Sequence, residues 1–483
     1  MSGHQNHGFA GDARTESYNS FSGAVNSREQ LTGKPSTNYP IELKDVQKSV
    51  EAGEYNPYNF RQVEHPTTNT ETLVHLLKGS FGTGILAMPL AFYHSGYLLG
   101  VIGTAVIGLL CTHCIQMLIS CEYEVCKRRN VPSMTYPATA QACLNEGPEF
   151  LRKFSGIAPH VVNTFLLIYQ LGTGTVYTVF IGENIQGVLE AHGVYVDARY
   201  VMLAWLLPLI LINYVRNLKF LAPFSTAANF VTILSFGIIA YYMFRQDFTF
   251  VDKEPVGYYR DYPLFFGTVL FALEAIGVIM PLENEMKTPQ HFGGSCGVLN
   301  IGMIIIVTLY TAMGFFGYIA FGKDVGGSVS YTIGNDIPAQ ICKIMLSLAI
   351  FVTHGLQMYP AIDTVWNDYL LPRLQKNQHK LLLEYITRTA MVVFCFCLAV
   401  AVPYIDLFIS LFGALTLSAL GMAIPAVLDI STYWYSMSGV RGSLRLAKNS
   451  IIILIGFFGL VVGTSTSLEK IVEKFAPVTN STT

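Results

Sequence analysis

Eleven stretches of this chain are each long and apolar enough to cross a lipid bilayer, and that repetition constrains the fold more than any other feature. A hydrocarbon core about 30 Å thick requires about 20 mostly apolar residues per helix, and lipid obliges every backbone polar group to find its partner within the segment. The runs lie near residues 72–94, 97–121, 160–188, 200–215, 220–244, 263–283, 297–321, 339–363, 385–403, 405–430 and 449–467. An all-α integral membrane protein is therefore expected. Composition agrees, with 52% hydrophobic and 13% charged residues, whereas a soluble domain carries about a quarter charged residues. A net charge of −2 with no basic stripe sets nucleic acid aside as a partner.

Residues 1–65 are rich in Ser, Asn, Gly and acidic residues and contain no apolar run. They are expected to be a disordered cytosolic tail, followed by a transmembrane domain over 66–470 and a short tail over 471–483. Orientation follows from the excess of Lys and Arg in short cytosolic loops. Lys127, Arg128, Arg129, Arg152 and Lys153 lie between the second and third runs, Arg373, Lys376 and Lys380 before the ninth, and Arg441, Arg445 and Lys448 before the eleventh. The N-terminus is thus expected in the cytosol. With an odd number of spans, the C-terminus falls outside the cell or in a lumen, where Asn480 opens a glycan acceptor motif. The nine cysteines fall mostly in apolar runs or in segments expected in the cytosol. No external disulfide pair stands out, and Cys111 and Cys114 of "CTHC" read as small helix-packing residues.

The first run contains "HLLKGSFGTGILAMPLA", His75 to Ala91. Glycine costs about 1 kcal/mol relative to alanine inside a helix, so "GSFGTG" from Gly79 to Gly84 is a poor choice for an unbroken span. Unwound backbone at membrane depth is tolerated only where it is buried in protein or lines a wet cavity. Close approach of a neighbouring helix is the other use of such glycines. In the sixth run, "FALEAIGVIMPLENEMK", Glu274 sits in an otherwise uncharged stretch. A charge at the centre of a membrane helix costs about 2.5–3.5 kcal/mol on insertion scales, which marks Glu274 as a functional residue. "GILAMPL" at Gly84 and "GVIMPL" at Gly277 also match, five spans apart and in opposite orientation. Interrupted segments at corresponding places in two inverted halves mark the binding site of a secondary transporter. A five-plus-five inverted repeat with broken first and sixth helices, and an eleventh span appended, is expected.

A helix restarting after the break in the first span presents unpaired N–H groups and a positive dipole end, which suit a carboxylate. Carbonyls at the sixth-span break, with Glu274, suit a protonated amine. The small side chains at Gly79, Ser80, Gly82, Thr83, Gly84, Ala275 and Gly277 favour a small solute. His75, one turn before Gly79, titrates near pH 6.5 when unperturbed, which suits a proton-driven cycle; a hydrogen-bonded packing role is the alternative. His354 in the eighth run, and Tyr169 and Gln170 in the third, are secondary candidates. Lys78 has no assigned role beyond snorkelling or pairing. No metal, phosphate or acid/base catalytic motif competes, so no cofactor beyond the proton is expected and an enzyme is excluded.

"TLVHLLKGSFGTGILAMPLAFYHSG", "YPLFFGTVLFALEAIGVIMPLENEMKTPQHF" and "LYTAMGFFGYIAFGKDV" resemble the proton-assisted amino-acid transporters of the amino acid/auxin permease superfamily. The likeness runs from Thr70 to Leu468. It implies an eleven-helix fold of the leucine-transporter type that carries glycine, alanine or proline with a proton, at the plasma membrane or the lysosomal membrane. It implies that His75 couples the proton and that Glu274 is the sixth-span glutamate. "EAHGVYVDARY", between the third and fourth spans, lacks the cysteine and the glycosylation motif that mammalian relatives carry there. An amino-acid receptor that works through cytosolic nutrient-signalling proteins with little flux, and a sodium-coupled carrier of the same fold, remain open.

Overall fold

A computed structural model describes residues 55–61, 63, 66–216, 218–273, 276–294, 296–374 and 378–475. Each expected span coincides with helix. Among the described residues, eight helices have the length and apolarity to cross a membrane: Tyr97–Arg129, Ala158–Ala191, Pro223–Arg245, Val298–Asp324, Ile337–Leu370, Lys380–Ala401, Ile405–Ser436 and Gly439–Phe475. The fourth span is the shorter apolar helix Ala198–Asn213. The first consists of two helices, Asn69–Ser80 and Thr83–Ser95, bent by 57°. The sixth comprises Tyr262–Leu273 and Ile276–Asn284. The protein is an all-α, multi-pass membrane protein.

Several helices outrun the apolar stretches that announced them, because a helix continues past the lipid as long as its backbone bonds are satisfied. The second span has 33 residues, about 50 Å at 1.5 Å per residue against a core of about 30 Å. Its end carries Lys127, Arg128 and Arg129 into the polar region and stops at Asn130, which adopts the left-handed conformation with φ 55° and ψ 44°. That geometry closes helices by satisfying their last carbonyls. The eleventh span begins at Gly439, ten residues ahead of the apolar run, and includes Arg441, Arg445 and Lys448. Its last helix reaches Phe475, so residues 471–475, expected in the terminal tail, are helical.

Burial sorts the spans. The tenth and third are 83% and 72% buried over their apolar windows, whereas the ninth and eleventh are each 28% buried, so the former form the interior and the latter the lipid-facing rim. Glycines permit the closest crossings. A Cβ at Gly172 of the third span would lie 2.3 Å from the Phe412 ring, and one at Gly413 would lie 1.9 Å from the Gly267 carbonyl oxygen. From Gly413 to Ala423 the tenth span is wound as a π-helix.

The compact unit begins at Asn56, ahead of the boundary expected at 66. Residues 1–54, and with them most of the expected tail, lie outside the described residues. Pro57–Phe60 forms a short turn capped by Asn56, and the Arg61 side chain is 5% exposed. Thr67 pairs with the segment after the sixth span through Thr67 N–H to the Glu285 carbonyl and Lys287 N–H to the Thr67 carbonyl, both 2.9 Å. Hydropathy patterning does not register such polar stitching.

Candidate functional site

The break in the first span is built by its own residues. Thr68 and Glu71 form a capping box that starts the first half-helix, and the Phe81 N–H donates to the Leu77 carbonyl at 3.1 Å to end it. Gly82 is extended, with φ −127° and ψ −157°, and the second half-helix starts at Thr83 with no side-chain cap. The first N–H groups of a helix have no partner within it, and they carry the positive end of its dipole. Beside them, Thr83 is 1% exposed, and its hydroxyl has no hydrogen-bond partner. Burying an unpaired polar group is costly, which makes such a group the exception to explain. On the other side of the break, the Ser80 carbonyl accepts a hydrogen bond from the hydroxyl of fully buried Tyr310 on the seventh span.

The third span forms the facing wall. A Cβ at Gly82 would lie 3.2 Å from the Tyr177 hydroxyl, and one at Gly277 would lie 3.4 Å from the Gln170 amide nitrogen. Gln170 is buried, and its carbonyl oxygen has no hydrogen-bond partner. The Tyr169 ring lies 6.1 Å from that of Phe271 on the sixth span. Phe81 turns toward the fifth span, edge-on to Phe236 at 6.1 Å. The third span thus meets the first at Tyr177 beside Gly82 and the sixth at Gln170 beside Gly277 and Tyr169 beside Phe271, and Ser80 is tied to the seventh span through Tyr310.

Tyr177 and Tyr310 were missed. Tyr169, Thr173 and Tyr177 recur every four residues, the spacing of one helix face, and that is the signal that could have found Tyr177. Tyr310 lies in a run of apolar residues and sends no such signal.

The two uses of the "GSFGTG" glycines divide between positions. Gly84 serves packing: a Cβ there would lie 2.7 Å from the Ala272 Cα and 3.1 Å from its Cβ. Gly82 serves the break. Gly79 and His75 are on the exposed face of the first half-helix, and Lys78 is partly buried there. Glu274 and Ala275 lie outside the described residues. His354 is buried, with Nδ1 3.1 Å from the Asn213 side-chain nitrogen and Nε2 3.5 Å from a Cβ placed at Gly174 of the third span.

A second titratable group sits at the far end of the first span. His94 and Asp406 line a cavity of about 10 Å³ together with Thr268 and Ser410, close to the minimum that holds one water. His94 Nδ1 is buried without a hydrogen-bond partner. Asp261 and Lys470 also act electrostatically on His94, and Glu183 and Lys474 on Asp406.

The model of the family described as "Transmembrane amino acid transporter protein" matches residues 65–469. The chain belongs to this family. It is 38% identical over 450 residues to the proton-coupled amino acid transporter-like protein pathetic of Drosophila melanogaster, covering 92% of this chain and 94% of the relative. It is 23% identical over 420 residues to the probable amino acid transporter skat-1 of Caenorhabditis elegans, covering 85% and 91%. The resemblance read from the first, sixth and seventh spans is borne out, and so is the exclusion of an enzyme: this member of the transmembrane amino acid transporter family moves solute across a membrane. The family match starts at residue 65, four residues after Arg61.

Proposed function

We propose that this transporter carries small neutral amino acids, of the glycine, alanine and proline type, together with protons by alternating access. The site is the break in the first span, and the observation that carries it is the uncapped helix start at Thr83, whose buried hydroxyl has no partner; the unsatisfied Gln170 carbonyl lies on the third span, beside Gly277 of the sixth. The substrate carboxylate takes the N–H groups that begin the second half-helix. Its ammonium takes the Gln170 carbonyl oxygen, with Glu274 as the sixth-span carboxylate expected nearby. Gly82 faces Tyr177 closely, which leaves room for a small side chain only. Proton coupling in the fly relative's name supports the same cycle here. The basic end of the bundle faces the cytosol, in the plasma membrane or the lysosomal membrane. The five-plus-five inverted repeat of the leucine-transporter type relates the halves.

Uptake of radiolabelled alanine by reconstituted protein tests the site. A hydrogen bond to a charged group contributes about 1.5–3 kcal/mol, so Gln170→Ala raises KM about ten- to hundredfold with little loss of folded protein. An unchanged KM removes Gln170 from the site.

Two histidines bracket the break on one span, and the family resemblance puts coupling on His75. His75→Ala abolishes acid-stimulated uptake while the protein still reaches the membrane. Acid stimulation that survives in His75→Ala and disappears in His94→Ala moves the proton site to the His94–Asp406 cavity.

A further inference from the structure

A second cavity, of about 440 Å³, opens between the second, tenth and eleventh spans and is lined by His113, Gln116, Ser120, Asp429, Arg445 and Lys448. Its depth follows from the helices that form it. His113 to Ser120 lie 16 to 23 residues beyond Tyr97, where the second span starts, or about 24–35 Å along the axis. A hydrocarbon core about 30 Å thick ends at that level. Lys448 immediately precedes the eleventh apolar run, at the same boundary. The mouth faces lipid, since Leu444 beside it is 64% exposed and Ile451, two turns further along, is 58% exposed.

The charges inside do not balance. Arg445 places Nε and Nη2 on the two Asp429 oxygens at 2.8 and 2.6 Å, and its guanidinium lies 3.7 Å above the Tyr433 ring. Asn449 donates a further hydrogen bond to Asp429 at 2.6 Å. Asp429 is thereby neutralised and fully engaged. Lys448 has no such counter-ion: its ammonium lies 2.9 Å from His113 Nε2 and 3.5 Å from the Met117 sulfur. A histidine that accepts a hydrogen bond from an ammonium is neutral, and a thioether carries no charge. One N–H of Lys448 remains unengaged, in a cavity whose net charge is +1 among the described residues. A cation held at the bilayer boundary without an anion attracts one, and basic pockets between helices on the cytosolic side hold phosphorylated lipid headgroups.

We propose that this cavity binds the phosphate of an anionic lipid of the cytosolic leaflet, with Lys448 as its ion-pair partner. The proposal rests on the orientation given above for the basic end of the bundle. The volume accommodates a headgroup, and the exposed Arg441 and Lys127 at the same end extend the positive field toward the aqueous side.

The test reconstitutes the full chain into phosphatidylcholine vesicles with and without phosphatidylinositol 4-phosphate and measures retained lipid by native mass spectrometry. Wild type retains the phosphoinositide, and Lys448→Gln retains it about tenfold less, whereas Lys448→Arg retains it. Leu444→Trp, which fills the mouth and leaves the charges in place, loses it too. Equal retention by wild type, Lys448→Gln and Leu444→Trp overturns the proposal. Soluble inositol phosphate that binds at Lys448 while the vesicle lipid does not overturns the lipid assignment in favour of an aqueous phosphate. Alanine uptake in phosphatidylcholine alone is read in parallel, so failure of the lipid site is separable from failure of the transport reading.

Discussion

Arg61→Ala destabilises the folded protein by about 3–5 kcal/mol, the cost of breaking a buried ion pair by removal of one partner. Its guanidinium stands between two carboxylates that would otherwise be buried together. Nη1 lies 2.9 Å from Glu283, and Nη2 lies 3.8 Å from Glu122, with both glutamate side chains at most 1% exposed. Arg61 also donates to the carbonyls of Pro132 and Glu283, at 3.1 Å each, and stacks 4.9 Å from the Tyr58 ring. One side chain thereby ties the segment before the first span to the second span, to the loop after it, and to the end of the sixth. Without Arg61, two carboxylates with low solvent access face each other. The double variant Arg61→Ala with Glu283→Gln recovers part of the loss, because the second change removes one of the orphaned charges. Thermal melting in detergent measures both. Strictly additive losses would show that Arg61 and Glu283 do not act on each other.

Gly84→Val abolishes transport and lowers stability by about 1–3 kcal/mol, the range for forced overpacking. The added carbons meet the Ala272 backbone at 2.7 Å, which no rotamer change relieves. The first and sixth spans must then separate at the level where the first is interrupted, two residues from Gly82. Gly237→Ala is the control: a Cβ there meets nothing within 4 Å, and alanine is the better helix former by about 1 kcal/mol. Transport by Gly84→Val at wild-type rate would mean that this contact is dispensable to the site.

The helices were legible because lipid leaves a chain few choices: an apolar run of sufficient length has to close its own hydrogen bonds. The interruption of the first span was legible from the glycines, and it falls between Ser80 and Thr83, inside the stretch they mark. Partners across the break were legible only where polar residues stood out in an apolar run, as Gln170 did. Tyr310 did not stand out, since a tyrosine among apolar residues reads as packing until its hydroxyl is seen on a carbonyl. Arg61 was hidden for another reason. Its segment has no apolar periodicity, and what holds it is charge and backbone pairing with residues about 60 to 220 positions away. His94 and Asp406 belong to spans far apart in the chain, so nothing local announced that they share one cavity. His75, conspicuous by its place before the glycines, proved to lie on the exposed face.

The most direct measurement places purified protein in sodium-free proteoliposomes containing a pH-sensitive dye and adds alanine outside. The account predicts that alanine acidifies the lumen, that an inward proton gradient accelerates alanine entry, and that Gln170→Ala requires far more alanine for the same acidification. Alanine entry without acidification, or entry only after sodium is restored, would contradict it.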